Sequence, residues 1–399
     1  MTPLSRLFSE GFRVFFLSAG LFAILSIALW GAWIAGLWPD LPPAIAPQHW
    51  HAHEMVFGFG AAALAGFFLT AVPNWTGGAG APQRFIAAVW ALWLAGRVAL
   101  WASGLLPVWA VALADLSFGP VLALQIAAVL LRRPKAPQLI FLLMLALFWG
   151  ANLLCHLEWM GLPGGDAALG IRAGLIGLAA MIVILGGRVT PGFTRNAMVA
   201  AGREQGLPRT PAPLAALSIA AAIGTVIATL ADLPAQITGP VALLAGGAAL
   251  LRLSLWQGLW TRSRPILWTL HLAYGCNALG LVLIGLAALG QGSELAALHV
   301  LSIGGIGGMT LAIMSRASLG HTGRPLLAPK PVVLAYLMLP LAMLARWFGL
   351  LALDGGGATA AALLAALLWC LAFGLFVQAL WPAWWQPRLP RAAVGQPPA

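Results

Sequence analysis

Residues 168–186 read ALGIRAGLIGLAAMIVILG, nineteen positions with one charge, Arg172, and four glycines. As a helix this stretch is about 28 Å long, close to the hydrocarbon thickness of a bilayer. Polarity returns immediately after it, in Gly187-Arg188-Val189-Thr190-Pro191-Gly192-Phe193-Thr194. The rest of the chain repeats the pattern. Apolar runs bounded by charge, Pro and Gly occupy 15–38, 54–73, 85–103, 108–131, 137–157, 168–186, 214–232, 239–260, 265–289, 294–315, 331–352 and 358–381, which makes about twelve spans. The expected fold is an all-α polytopic membrane protein, a single integral membrane domain over 1–399.

Composition agrees. The chain is 61% hydrophobic and 8% charged, whereas a soluble domain carries about 25% charged residues. That leaves too little polar surface for a soluble globule and too much apolar surface for a disordered chain. The net charge of +11 does not indicate nucleic acid, because the basic residues recur between apolar runs instead of clustering. With the N-terminus inside, alternate loops collect Arg84, Arg132, Arg133, Lys135, Arg188, Arg195, Arg203, Arg262, Arg264, Arg316, Arg324, Arg388 and Arg391. The opposite loops collect Asp40, Glu158, Asp166, Asp232 and Asp354. This positive-inside asymmetry predicts both termini in the cytoplasm and a location in the cytoplasmic membrane. Phe15 to Trp38 is too long for the apolar core of a cleavable leader and is read as a span. Cys155, Cys276 and Cys370 match no metal or redox spacing. The phosphate loop, the serine-nucleophile elbow and the zinc-protease pair are not found.

Three spans running from outside to inside end alike: Pro73-Asn74-Trp75-Thr76-Gly77, then Arg188 to Thr194, then Arg316-Ala317-Ser318-Leu319-Gly320-His321-Thr322-Gly323. They are spans 2, 6 and 10, which suggests three four-helix units over 1–135, 136–264 and 265–399. Aligning Thr76, Thr194 and Thr322 sets His53 opposite Ile171 and His299, each 23 residues before its threonine. The two histidines are then expected at one depth near the outer face, about 35 Å from the threonines.

Ionisable residues within a bilayer default to a functional reading. His49, His51 and His53 form HxHxH at the outer entrance of span 2. On a regular helix His51 and His53 point about 200° apart, so either the segment is extended or the two serve different centres. His299 is followed by Gly304, Gly305, Gly307 and Gly308, a smooth face that admits either a neighbouring helix or a flat macrocycle. His53 and His299 can clamp a haem through both axial positions; the alternative is two core histidines bonded to backbone. His51, with His49 or Met55, is the copper candidate, since imidazole and thioether suit copper. His271, one helical step from Tyr274, and His321, in a basic loop, form or support a second centre on the cytoplasmic side, with anion binding equally open for His321. His156, beside Cys155, reads as structural. Arg97, Arg172 and Arg346 fall in the outer third of their spans, where they face haem propionates or reach to headgroups. Arg252 and Asp115 have no assigned place.

Taken together, the motifs resemble the NnrS family of bacterial membrane proteins. The resemblance is carried by Trp50-His51-Ala52-His53-Glu54-Met55-Val56-Phe57-Gly58 and by Gly187 through Asn196. It continues in Arg264-Pro265 with His271 and Tyr274, and in His299 through Gly323. It implies an inner-membrane protein that holds haem b and copper and is linked to nitric oxide, in denitrifying or nitrosatively stressed bacteria. The family's motif histidines fall on His51, His53, His271, His299 and His321, with His49 an extra. The arrangement is also similar to the twelve-helix core of the haem–copper oxidases, whose low-spin haem is held from helices 2 and 10. Span 6 here has no histidine and span 7 lacks a histidine pair, so a full binuclear centre is not expected.

The functional expectation is redox chemistry on, or binding of, nitric oxide or metal–nitrosyl species, with a haem-dependent oxidoreductase as the enzymatic form. The implied partners are the bilayer and a quinol or other electron donor. The alternative is a transporter of a metal, haem or an anionic nitrosyl complex. The charge asymmetry makes its own prediction. A periplasm-dependent reporter will be active when inserted at Gly164 and inactive when fused after Arg388, and a cytoplasm-dependent reporter will show the reverse.

Overall fold

A computed structural model describes residues 2–37, 43–132, 134 and 136–390, with the side chains of 136 and 137 excepted. The expected end of the first span at Trp38, and the loop charges Asp40, Arg133, Lys135 and Arg391, lie outside the described residues. Among the described residues, twelve helices are long and apolar enough to cross a membrane. They are α1 (Gly11–Ile34), α2 (Pro47–Thr76), α3 (Gln83–Trp101), α4 (Val108–Leu130), α5 (Gln138–Trp159), α6 (Ala167–Ala200), α7 (Ala212–Leu230), α8 (Ala235–Ser254), α9 (Pro265–Ala288), α10 (Glu294–His321), α11 (Lys330–Ala352) and α12 (Gly355–Trp385). No strand occurs among the described residues.

Several helices outrun their apolar runs. α6 continues through Arg188 and Thr194 to Ala200, and α10 through Arg316 to His321. Polar side chains end the lipid-facing stretch without ending the backbone ladder, so Arg188–Thr194 lies on helix, and Arg316–His321 likewise, where a loop was expected. α2 begins at Pro47, whose fixed φ suits the first turn of a helix, and all three residues of HxHxH are helical. It ends at Gly77 with φ 65°, a conformation that suits glycine.

The helices are not equally central. In the most apolar stretch of α2 and of α6, 72% of residues are buried, and in α9 and α10, 61%, against 28% in α4. α2, α6 and α10 meet one another in the middle, and α12 closes the bundle against α1. There Trp369 Nε1 donates to the Ala23 carbonyl, and Arg13 donates to the carbonyls of Ala383 and Trp384.

These three central helices share a further feature. Each contains a π-helical segment: Glu54–Gly60 in α2, Ile182–Gly186 in α6 and Val300–Gly307 in α10. A π turn widens the helix and disturbs its carbonyl ladder, and in lipid such carbonyls need donors from the protein. For α2 and α6, neighbouring helices provide them. Trp93 donates to Gly58, Asn277 to Ala179, and Arg252 to both Val183 and Gly187. This accounts for Arg252, a fully buried cation held by carbonyls and by Ser218 Oγ. Thr76, Thr194 and Thr322 each donate to the carbonyl four residues back.

The glycines of α10 serve helix packing. A Cβ on Gly305 would lie 2.8 Å from the Asn277 Cα, and one on Gly307 would lie 2.5 Å from the Trp369 ring. One on Gly304 would meet Met343, and one on Gly308 would meet Ala273. Of the two readings of this face, the neighbouring helix holds and the macrocycle does not. Gly305→Ala is therefore expected to destabilise the bundle by about 1–3 kcal/mol through overpacking, read as a lowered Tm in detergent. Gly247→Ala, where a Cβ meets nothing within 4 Å, will not lower it.

Candidate functional site

Two polar regions face each other across α2. The first is a buried cluster of charge among α2, α3, α4 and α5. Arg97 donates from Nη1 to Glu54 Oε1 and from Nη2 to Asp115 Oδ1. Asp115 Oδ2 accepts from Asn152 Nδ2 and from His156 Nε2, both at 2.8 Å. His53 Nε2 lies 2.7 Å from Asn152 Oδ1 and 3.4 Å from Asp115 Oδ2, and its Nδ1 lies 3.2 Å from Glu54 Oε1. All six side chains are buried. Trp159 and Phe57 pack on the His53 ring.

Charge and donor counts agree on what this cluster lacks. Two carboxylates and one guanidinium leave one excess negative charge when both histidines are neutral. Both nitrogens of His53 face acceptors, and a neutral imidazole can donate to only one of them. One positive charge, either a proton on His53 or a monovalent metal ion, repairs both deficits. His53, Asp115 and His156 place one ligand atom each within 4.8 Å of one another, a spacing that can hold a metal ion.

The second region is a cavity of about 480 Å³ at the end of the bundle opposite the termini. It is walled by α1, α2, α6, α10, α11 and α12. Its polar lining includes His49, His51, His299, Arg172, Arg346, Gln48 and Ser302, and Trp30, Met55, Phe59 and Trp369 are among its apolar walls. The His51 ring stacks on Trp30 with centroids 4.4 Å apart and planes 4° apart, and its buried Nδ1 has no hydrogen-bond partner. His299 Nδ1 donates to the Leu295 carbonyl at 2.7 Å, which fixes the ring and leaves Nε2 as the free nitrogen. Arg172 pairs with Glu294 through two contacts, Nε to Oε1 at 2.8 Å and Nη2 to Oε2 at 3.1 Å, both side chains being about two-fifths exposed. Met55 Sδ accepts from Ser26 Oγ.

Within the helical HxHxH, His51 faces the cavity and His53 is turned away into the charge cluster, as their separation of about 200° requires. His49 also lines the cavity, although the same spacing separates it from His51. The pairing of His53 with His299 is not assembled: His299 shares its cavity with His51, and His53 does not line it. Arg172 and Arg346 reach the cavity, but Arg97 belongs to the cluster. His271 and His321 contact different helices. His271 Nε2 meets Thr194 Oγ1 at 2.9 Å, and the His321 ring packs on Phe12 at 5.5 Å. His156, read as structural, and Asp115, left unplaced, are central to the cluster. The signal for them was present: a lone acid in the apolar run of α4, and Asn152 four residues before His156 on one face of α5.

The fold and these sites define a polytopic all-helical membrane protein with histidine-bearing polar sites buried within its bundle. The chain belongs to the NnrS protein family, whose model matches residues 6–388. No match is found among curated proteins. Family membership supports a function related to nitric oxide.

The cluster makes a prediction of its own. Arg97→Met will strand two buried carboxylates, at a cost of about 3–5 kcal/mol, seen as a large drop in Tm and yield. Adding Glu54→Gln and Asp115→Asn will recover most of that loss.

Proposed function

We propose that the protein acts in the bacterial inner membrane, termini cytoplasmic, as a haem- and copper-holding protein that binds or carries out redox chemistry on nitric oxide or metal–nitrosyl species. The observation that carries this reading is the shared cavity of His51 and His299. One imidazole has its Nδ1 bound to a carbonyl and its Nε2 free. The other has a buried nitrogen with no partner, on a ring held flat against Trp30.

The residues suit haem b. The cavity volume lies in the range of ligand sites, about 300–1,000 Å³, and its walls are mostly apolar. His51 and His299 would supply nitrogen ligands to the iron. The backbone bond on His299 Nδ1 orients its ring, as partners of ligating histidines do. Arg346, which has no anionic partner among the described residues, and Arg172, by exchange with Glu294, would receive propionates. Bound there, the haem would supply one-electron chemistry, with potential set by its ligands and burial. The protein's own contribution is to hold two rings, two guanidinium groups and a dry wall around one space.

Copper suits the His53, Asp115 and His156 group better than the cavity. Two imidazoles and a carboxylate form its donor set, and Glu54 on His53 Nδ1 orients the ring. A monovalent ion supplies the one positive charge the cluster lacks. The threonine-terminated helices α2, α6 and α10, each with its π segment, support a reading of three four-helix units over 1–135, 136–264 and 265–399.

The test is a reduced-minus-oxidised optical spectrum with metal analysis of the detergent-purified protein. Low-spin b-type bands are expected in the wild type, lost in His51→Ala and His299→Ala, and kept in His53→Ala. Bands that survive His299→Ala, or a wild type without haem, would sink the assignment. His156→Gln is expected to lose copper while keeping the haem bands; retained copper would remove the metal from the cluster.

A further inference from the structure

A second, smaller and partly open pocket of about 80 Å³ lies between α2, α6 and α10. It borders the His51–His299 cavity, and the side chains of Leu178 and Ile306 line both spaces. Its walls are apolar, with Thr310 the one polar side chain among them. Met181, Met309 and Met314 contribute polarizable thioethers.

The void has a structural cause. Each of the three π segments gives it a lining residue: Gly60 from α2, Ile182 and Gly186 from α6, and Ile306 from α10. A π turn inserts one extra residue into a helix, so three widened helices cannot interlock where they meet. Voids weaken a protein in proportion to their volume, and π turns gather at working sites. Three of them round one pocket go beyond a packing accident.

Chemistry narrows the occupant. The volume exceeds that of single waters but is far too small for a macrocycle. Apolar walls offer water no partners, and apolar spaces of this size take up xenon or small apolar molecules. Ions are turned away, because an apolar constriction dewets. A polar anion or a hydrated metal ion would surrender its solvation for nothing in return.

We propose that this chamber is a binding site for a small, uncharged gas of two or three atoms, held next to the His51–His299 cavity with Leu178 and Ile306 between them. The chamber itself stands on geometry alone. Only the identity of the gas, nitric oxide, rests on the functional reading above. The same apolar walls oppose passage of an anionic or metal cargo along the axis of the three helices.

Xenon is the probe, used on crystals of the full-length protein under pressure and read by anomalous scattering. The wild type is expected to show a xenon peak among Gly60, Gly186 and Met309. In Thr310→Phe, and independently in Val189→Phe, that peak is expected to vanish as the added ring fills the void. A wild-type crystal with no peak in the chamber, with ordered water there, or with xenon only in the larger cavity would overturn the proposal. Should either variant fail to fold, the wild-type density still decides. Xenon uptake does not require haem, so a colourless protein with a filled chamber would refute the haem assignment and leave this one standing.

Discussion

Within the bilayer no water reaches a stranded polar atom, so every buried charge and every loosened carbonyl must find its partner inside the bundle. Much of this structure is a consequence. Arg97 on α3 joins Glu54 on α2 to Asp115 on α4, and Asn152 and His156 on α5 complete the set. Arg252 does comparable work on the other side of the molecule. It has no ion pair among the described residues and instead fills the acceptors around the π segment of α6. Charge that would be prohibitive alone becomes a tie between helices.

Two residues of separation decide which side of α2 does what. Because His51 and His53 diverge on the helix, one joins the cavity and the other joins the charge cluster. Both nitrogens of His53 are engaged by protein acceptors, whereas the ring of His299 keeps one free. The difference between these two histidines lies in what surrounds them, an open cavity for His299 and a cluster of carboxylates and amide for His53. In the proposed reading, the free nitrogen of His299 goes to the iron, and His53 goes with Asp115 and His156 to the group proposed for copper.

The three central helices combine tight and loose packing. α10 brings glycines against α9, α11 and α12 so closely that a methyl group would collide. At the same level its π segment, with those of α2 and α6, keeps space open. Tight contact at the back of α10 and a void at its front are two results of one local sequence, Val300 to Gly308. Glycine permits the first and the widened turn produces the second.

The span count and the kinship of α2, α6 and α10 were legible in the sequence, because bilayer thickness imposes a length and the closing motifs mark those three helices; their central place was decided by packing. Helix ends were misplaced where polar motifs continue the backbone ladder beyond the apolar run, as in α6 and α10. The divergence of His51 from His53 was also legible, since it follows from 100° per residue alone. Which of them faces His299 was not, because rotation of α2 about its own axis is set by packing against its neighbours and leaves no mark on local periodicity. For the same reason Asp115 and His156, 41 residues apart, had no visible relation until α4 and α5 were laid side by side. Periodicity along one helix determines what a residue can face; only the contacts between helices decide what it does face.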